Sequence, residues 1–264
     1  MIKTESVNVI FNPGTALEKI ALKEIDLTIP EGQFVTVIGS NGAGKSTLLN
    51  VLTGDIISNS GKVWIHHQEV TTWPSSKRAK FVARVFQNPL AGSCANLTVE
   101  ENLALAYRRG FLRGFRSALN HRLREEFRHR LARLNLGLEN RLRDRMGLLS
   151  GGQRQAVSLL MSTLAPHQIL LLDEHTAALD PKTANYILQL TREIVAENRL
   201  TTLMVTHSMR QALELGDRTL MLHEGQIIFD ISGSERQELT VKDLLYLFEQ
   251  QQHETLTDDA LLLG

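Results

Sequence analysis

The stretch GSNGAGKST, Gly39 to Thr47, constrains this chain more than any other. It fits the pattern G-x-x-x-x-G-K-[ST]. A short β-branched run, QFVTVIG (Gln33 to Gly39), stands before it, and the apolar helical pattern KSTLLNVL follows. A strand that turns through glycines into a helix N-terminus is a phosphate-binding arrangement. The glycines let backbone N–H groups turn inward around phosphate oxygens, and the helix adds its dipole. Gly39, Ser40, Asn41, Gly42, Ala43, Gly44, Lys45, Ser46 and Thr47 are therefore expected to cradle the phosphates of a nucleotide. Lys45 is expected to reach the β- and γ-phosphates and Ser46 to coordinate Mg²⁺. The competing reading is an anion-free glycine turn, and the strand-before, helix-after context weighs against it.

A second stretch, LLLDEHTAALD (Leu170 to Asp180), runs an apolar strand into two adjacent carboxylates. In a parallel sheet the ends of both strands lie on one edge. Asp173 is thus placed to hold Mg²⁺ through a water. Glu174, one residue on, can orient and deprotonate an attacking water. The competing reading makes Glu174 a solvated loop acid or a cap at a helix N-terminus.

The rest of the chain supplies a frame for these two sites. KVWI, FVARVF, QILLLD, TTLMVT and RTLML read as strands, and the later ones alternate with helical segments. That alternation implies parallel strands covered by helices. TLMLHEGQIIFDI places Glu224-Gly225 between two apolar runs, a hairpin signal. Pro166, His167 and Gln168 mark a turn between a helix and the QILLLD strand. Between about Asn88 and Ser150 the composition becomes rich in arginine and poor in β-branched residues. There Phe115, Leu119, Leu123, Phe127, Leu131 and Leu134 recur on one face of a predicted long helix. Thr98 and Glu101 form a capping box for an earlier helix. The expected fold is α/β: a phosphate-loop NTPase core with a parallel sheet, an antiparallel β part and an inserted helical subdomain. The arginines of the insert read mainly as a solvated helix face, with contact to a partner or lipid headgroups as the competing reading.

Bulk properties exclude several classes. The chain has 264 residues, 29 basic against 29 acidic, so nothing global points to nucleic acid. The one cysteine, Cys94, cannot make an internal disulfide and reads as a small, partly buried residue. MIKTESVNVIFNPG has no apolar run after Lys3 and does not read as a secretory signal. No apolar window is long enough to span a bilayer.

The discriminating stretch is LLSGGQRQAVSLLMSTLA, Leu148 to Ala165. Ser150 and Gln153 make a capping box for an apolar helix. A capped helix does not ordinarily need Gly151 and Gly152 as well, and both are expected to free the backbone for close approach by an anion. With these motifs together, the sequence resembles the ATP-binding subunit of an ABC transporter over nearly its whole length. The phosphate loop, Gln87, the signature Leu149–Gln153, Asp173–Glu174, Ala178–Asp180 and His207 occur in the family's order. The resemblance implies one ATPase domain over residues 1–264, with about 88–150 as the helical insert and about 232–264 as a C-terminal helical tail.

The resemblance also implies a two-lobed fold and a head-to-tail dimer. Each ATP lies between the phosphate loop of one copy and Ser150, Gly151, Gly152 and Gln153 of the other. It implies that Gln87 senses the metal and the attacking water, that His207 contacts the γ-phosphate and that Asp180 bridges the dimer. Phe11 is the best match for the aromatic residue that stacks on adenine. His175 departs from the proline that commonly follows the acidic pair; filling the loop is the role expected of it, and titration near the γ-phosphate is the competing one. With one ATPase core and no membrane segment, the permease must be a separate chain. DEHTAALDPKTA with SMRQALELGDRTLMLHEGQIIFDI resembles the ATPases of bacterial uptake systems that use a solute-binding protein, some of them for aromatic amino acids. Such a subunit would sit peripherally on the cytoplasmic face of the cell membrane, as a homodimer or with a paired ATPase subunit. Two other classes compete: a soluble ABC ATPase acting on ribosomes or DNA, and a non-hydrolysing ATP-gated clamp.

Overall fold

Strand β3 (Phe34–Gly39) is buried along its whole length up to the terminal glycine, so it needs cover on both faces, which a helix-covered parallel sheet provides. In the computed structural model, which describes residues 1–109, 119–165 and 169–250, β3 lies between β8 (Thr201–Val205) and β9 (Arg218–His223) and is parallel to both. β7 (Ile169–Asp173) and β6 (Val82–Val85) continue the parallel sheet beyond β8. β10 (Gln226–Ser232) pairs antiparallel with β9, giving the order β10-β9-β3-β8-β7-β6. The expected hairpin forms there. Its turn residues Glu224 and Gly225 have φ of 44° and 79°, the positive values that suit the twist of a two-residue hairpin loop.

A second, antiparallel sheet has the order β2-β1-β4-β5, from β1 (Ile2–Phe11), β2 (Lys19–Ile29), β4 (Ser60–Ile65) and β5 (Gln68–Glu69). The strand character of β1 and β2 is not legible as a simple alternation, and the backbone shows why. Ser6 and Glu24 have φ of 44° and 48°, and the register of the pair shifts along β1. Such bulges break the period of two. Asp26 Oδ1 accepts the Ser6 N–H at 2.8 Å and Asn8 Oδ1 accepts the Glu24 N–H at 3.0 Å, so the irregular backbone is held by side chains.

The parallel sheet separates two cores. On one face, α1 (Lys45–Thr53) and the antiparallel sheet bury Leu22, Ile29, Leu48 and Leu52 against Val37 and Leu171. On the other, α3 (Val99–Tyr107), α4 (His121–Ala132), α5 (Gly151–Met161) and α6 (Pro181–Asn198) bury Leu103, Phe127, Leu159 and Ile187 against Val85 and Leu172. Strand alternation does the sorting: Ile169 and Leu171 of β7 join the first core, Leu170 and Leu172 the second. Short α2 (Ser75–Arg78), α7 (Met209–Glu214) and α8 (Gly233–Glu238) complete the set. Residues 241–250 are helical, with Leu244 packed on Ile38, Ala212 and Met221.

Three sequence expectations change. The predicted long helix is shorter, because Asn120 caps α4 by accepting the Leu123 N–H at 2.8 Å. Leu119 therefore precedes the helix, Leu134 follows it, and Leu123, Phe127 and Leu131 form its buried stripe. Phe115 lies outside the described residues, as do Pro166, His167 and Gln168 and the end of the tail from 251 on. Cys94 is exposed rather than partly buried. The buried Asn102 side chain binds both its N–H and its C=O, which fixes the loop with the thiol outward. Last, β6 is confined to Val82–Val85, so Phe81 and Phe86 flank the strand. The Thr98–Glu101 capping box is present with both of its bonds. Arginines of the described insert pair with acids: Arg130 with Glu126 one turn back on α4, Arg124 with Glu100 of α3 and Arg133 with Glu197 of α6.

The segment after β5 is tied to the phosphate-loop helix by one buried cation. Arg78 is 1% exposed and donates to the carbonyls of Val51, Leu52, Thr71 and Trp73. It thereby satisfies the C-terminal carbonyls of α1. Burial pulls its pKa down to about 10, with Asp55 opposing. Arg78→Met should cost about 3 kcal/mol or more, because buried carbonyls lose their donors. Chemical denaturation will measure it; an unchanged midpoint would show that these bonds add nothing.

Candidate functional site

The phosphate loop is shaped by close backbone approach. Gly39 has φ 150°, and a Cβ there would stand 2.1 Å from the Leu222 carbonyl oxygen. Gly44 has φ 98°, and a Cβ would stand 2.5 Å from the Ala21 carbonyl oxygen. Both positions exclude a side chain. The hairpin turn seals the junction: Gly225 N–H donates to Ala43 O at 3.1 Å, and Lys23 N–H donates to Gly225 O at 2.8 Å. Lys45 is 5% exposed and its Nζ donates to Gly39 O and Ser40 O at 2.9 and 2.8 Å. The loop is thus curled around its own ammonium group, ready for phosphate oxygens to replace those carbonyls. Burial holds the Lys45 pKa below its ordinary value, with Glu174 and Asp173 opposing. Ser46, one residue on, is exposed in the first turn of α1.

Asp173 is the last residue of β7, and Glu174 leaves the strand with φ 45°. Its N–H still reaches Val205 O at 3.0 Å, so the chain swings out of the sheet without losing its β8 neighbour. That swing brings Glu174 Oε1 to 2.6 Å from His207 Nε2. The glutamate side chain is 12% exposed and the histidine 46%. A carboxylate against an imidazole at a strand edge can hold a water and take its proton. Among the described residues no three His, Cys, Asp or Glu side chains gather as a metal site. A cation held by the Ser46 hydroxyl and the Asp173 carboxylate would take its other oxygens from nucleotide and water. That all-oxygen set, from Ser46 and Asp173, fits Mg²⁺.

The signature sits at the N-terminus of α5. Ser150 caps it, with Gln153 N–H on Ser150 Oγ at 3.2 Å and Ser150 N–H on Gln153 Oε1 at 3.1 Å. Gln153 is also held by Arg141 and Leu136 O. Its two glycines differ in what packing within this chain asks of them. A Cβ on Gly152 would lie 2.3 Å from Thr183 Cγ2, so Gly152 is needed where α5 packs on α6. A Cβ on Gly151 meets only Leu179 Cδ2, at an ordinary 3.5 Å, so packing within this chain does not require that glycine. Asp180 caps α6 by accepting the Thr183 N–H at 3.1 Å. Its bond with Thr183 holds its pKa below the usual carboxylate value.

Gln87 lies exposed just beyond β6. The residue before it is anchored, since Gln155 of α5 donates to Phe86 O at 3.3 Å. Phe11 ends β1 half-exposed, at 38%, and pairs with Lys19. Lys19 Nζ in turn lies 3.8 Å from the Cβ position of Gly42, so Phe11 and the phosphate loop share one neighbour. His175 is buried and its Nε2 lies 3.0 Å from Thr191 Oγ1. Burial pushes its pKa down to about 4. It fills the loop, as expected, facing α6.

Two arginines escaped the sequence reading. Arg84 binds Asp173; an arginine inside the apolar run FVARVF was the available signal. Arg236 is 8% exposed and donates to the carbonyls of Ala212, Leu213 and Leu215. It thereby closes the C-terminus of α7, whose N-terminus follows His207. Nothing local in SERQE announces that role.

Comparison with known proteins agrees with this geometry. A family model described as ABC transporter matches residues 22–177. The chain is 45% identical over 237 residues to a tyrosine transport ATP-binding protein of Clostridioides difficile (strain R20291), which covers 90% of this chain and 92% of that one. It is 36% identical over 206 residues to the thiamine import ATP-binding protein ThiQ of Yersinia pseudotuberculosis serotype I (strain IP32953), covering 78% and 82%. It is similar to a solved dimeric ATP-binding cassette in a post-hydrolysis state bound to ADP and Pi, with TM-score 0.75 and 29% identity, over 88% of this chain and 98% of that one.

The unequal glycines give a direct test. Gly152→Ala should destabilise the fold by about 1–3 kcal/mol through overpacking, and Thr183→Ala should restore most of it. Gly151→Ala should shift stability by less than about 1 kcal/mol. Melting curves for Gly152→Ala, Gly151→Ala and the Gly152→Ala/Thr183→Ala double variant decide it; equal losses at both glycines would remove the distinction.

Proposed function

Because this chain belongs to the ABC transporter family as one of its ATPase subunits, we propose that it drives solute import through a separate permease by ATP-dependent closure of two copies. One observation carries the dimer. α1 and α5 stand on opposite faces of the parallel sheet, in different cores. A signature on the far face is turned away from its own phosphate loop and is free for that of a second copy. Gly151, which packing does not require, suits such an approach, and so does exposed Ser150. The similar cassette, solved as a dimer with ADP and Pi, supports assembly of two copies.

In this reading Gly39–Thr47 and Lys45 hold the β- and γ-phosphates, and Phe11 stacks on adenine. Ser46 and Asp173 hold Mg²⁺, with Gln87 beside it. When bound, the metal bridges phosphate oxygens and neutralises charge that develops on them. Glu174 orients the attacking water and accepts its proton. His207 steadies Glu174 and contacts the γ-phosphate. Asp180, at the start of α6, faces the second copy. Residues 88–150 form the helical part that meets the permease, and 232–264 form the tail.

Import is preferred because the relatives are named for tyrosine transport and thiamine import. Those names also weigh against action on ribosomes or DNA. A system of this kind includes a permease and an extracytoplasmic solute-binding protein, with the ATPase on the cytoplasmic face. No helix among the described residues is long and apolar enough to cross a membrane, so attachment runs through the permease. The 45%-identical tyrosine relative makes an aromatic amino acid the first solute to test.

Glu174→Gln should keep ATP binding, slow hydrolysis by about 10²–10⁴-fold and accumulate a nucleotide-bound dimer on size exclusion. Unchanged turnover would reject Glu174 as the base. The composite site is tested by mixing, with heterodimers isolated through two tags. Lys45→Ala and Ser150→Arg on one chain, paired with wild type, spoil both composite sites. The same substitutions on separate chains spoil one site and leave the other whole. The separated pair should retain ATP-dependent closure and the combined pair should lose it. The reverse order, closure kept by the combined pair and lost by the separated pair, would show that each signature serves its own chain.

A further inference from the structure

Arg84 stands where the inferred metal residues meet. β6 pairs in parallel with β7, Arg84 opposite Leu171. Alternation sets Val82 and Arg84 on the face that carries α1, together with Ile169, Leu171 and Asp173. The guanidinium is therefore beneath α1, with its side chain 10% exposed. Nη2 donates to Asp173 Oδ2 at 2.6 Å, and Nη1 donates to Asn50 Oδ1 at 2.6 Å. Asp55 Oδ2 lies 3.7 Å away. The guanidinium carbon stands 4.6 Å from the centre of the Phe86 ring, and Gln87 follows Phe86 in the chain.

These contacts join three separate segments. Asn50 is about one helical turn after Ser46 on the same helix. Asp173 ends β7, and Gln87 opens the loop after β6. A partly buried ion pair is costly unless its geometry is good; here both Nη atoms are engaged at 2.6 Å, while the buried Nε has no hydrogen-bond partner among the described residues. A lone counter-charge for Asp173 would not need a second acceptor on another element. The planar fork of arginine spans both acceptors, which the point charge of lysine cannot do. Engagement of Oδ2 also leaves the other oxygen of Asp173 as the one offered to a cation.

We propose that Arg84 is the positioning residue of the metal site: it fixes the Asp173 carboxylate and ties it to the helix of Ser46 and the loop of Gln87. The proposal rests on Asp173 holding the metal. It assigns Arg84 no contact with nucleotide or water, so its effect on hydrolysis passes through Asp173. A change in the Gln87 loop would reach the metal through Phe86 and Arg84 without moving β7.

The test uses the full-length chain loaded with the non-hydrolysed β,γ-imido analogue of ATP and titrated with Mn²⁺, with bound metal read by electron paramagnetic resonance. Wild type, Arg84→Met, Asp173→Asn and the double variant are compared, and a melting curve without metal or nucleotide confirms that each is folded. Arg84→Met should weaken Mn²⁺ binding about 10-fold, at the low end of what loss of a ligand's supporting partner does. The double variant should be no weaker than Asp173→Asn alone, since both act on one carboxylate. Wild-type Mn²⁺ affinity in Arg84→Met beside a weakened Asp173→Asn overturns the positioning role and leaves the metal reading standing. Additive losses in the double variant overturn the positioning role in the same way. Unchanged affinity in Asp173→Asn overturns the metal reading, and the positioning role with it. Should Arg84→Met not fold, Asn50→Ala removes one arm of the fork and keeps the ion pair. It should weaken Mn²⁺ in the same direction by about 3-fold, a fraction of the full effect; an unchanged affinity overturns the bridge.

Discussion

The contact on which the site depends is backbone against backbone at the phosphate loop. Gly39 is pressed on the Leu222 carbonyl and Gly44 on the Ala21 carbonyl. Three separate stretches of chain therefore meet with no side chain between them. β2 arrives from the antiparallel sheet, β9 and its hairpin turn from the far end of the sequence, and the loop itself from β3. Gly225 of the hairpin fastens all three, donating to Ala43 O of the loop while accepting from Lys23 of β2. A methyl group at either loop glycine would force carbonyls apart. It would thus move the antiparallel sheet or the hairpin as well as the loop. Because that junction is tight, the N–H groups of the loop and the start of α1 have one arrangement available before any nucleotide arrives. Such preorganisation is what an anion site gains from a rigid frame.

Around this junction each charged group is held by a neighbouring polar group. Lys45 waits on carbonyls of its own loop. Asp173 is held by Arg84, and Glu174 rests on His207. His207 begins the turn into α7, whose far end is closed by Arg236. The C-terminus of α1 is closed by Arg78. Arginine recurs in these supports because one guanidinium can satisfy several carbonyls or two acceptors on different elements. In a mostly apolar interior this is a compact way to satisfy helix ends and to orient a carboxylate.

In the proposed arrangement the sheet is the reason a second copy is called for. α1 packs in one core and α5 in the other, so phosphate loop and signature are divided by the strands between them. The signature's own helix is complete without ligand: Ser150 and Gln153 satisfy its N-terminal donors, and Gly152 belongs to its packing on α6. What is left over is an exposed serine and Gly151, offered outward. Asp180 shows the same duality, serving as the cap of α6 at the exposed start of that helix.

Sequence alone determined what is local. The phosphate loop, the acidic strand end, the Glu224-Gly225 hairpin and both capping boxes were legible because each is set by contiguous residues whose backbone preferences or spacing carry the information. The order of motifs along the chain identified the family for the same reason. Tertiary structure decided what depends on residues distant in sequence. The bulges at Ser6 and Glu24 hid β1 and β2, because their irregular N–H groups are satisfied by Asp26 and Asn8 rather than by a regular ladder. Asn120 cut short a helix whose apolar spacing promised more. Asn102 turned Cys94 outward. Gly152 proved to be a packing residue only when Thr183 came against it, while Gly151 did not. Arg84 read as one polar interruption in a strand until β7 placed Asp173 beside it. Periodicity reports which face of an element is apolar; it does not report which residue of another element that face will meet.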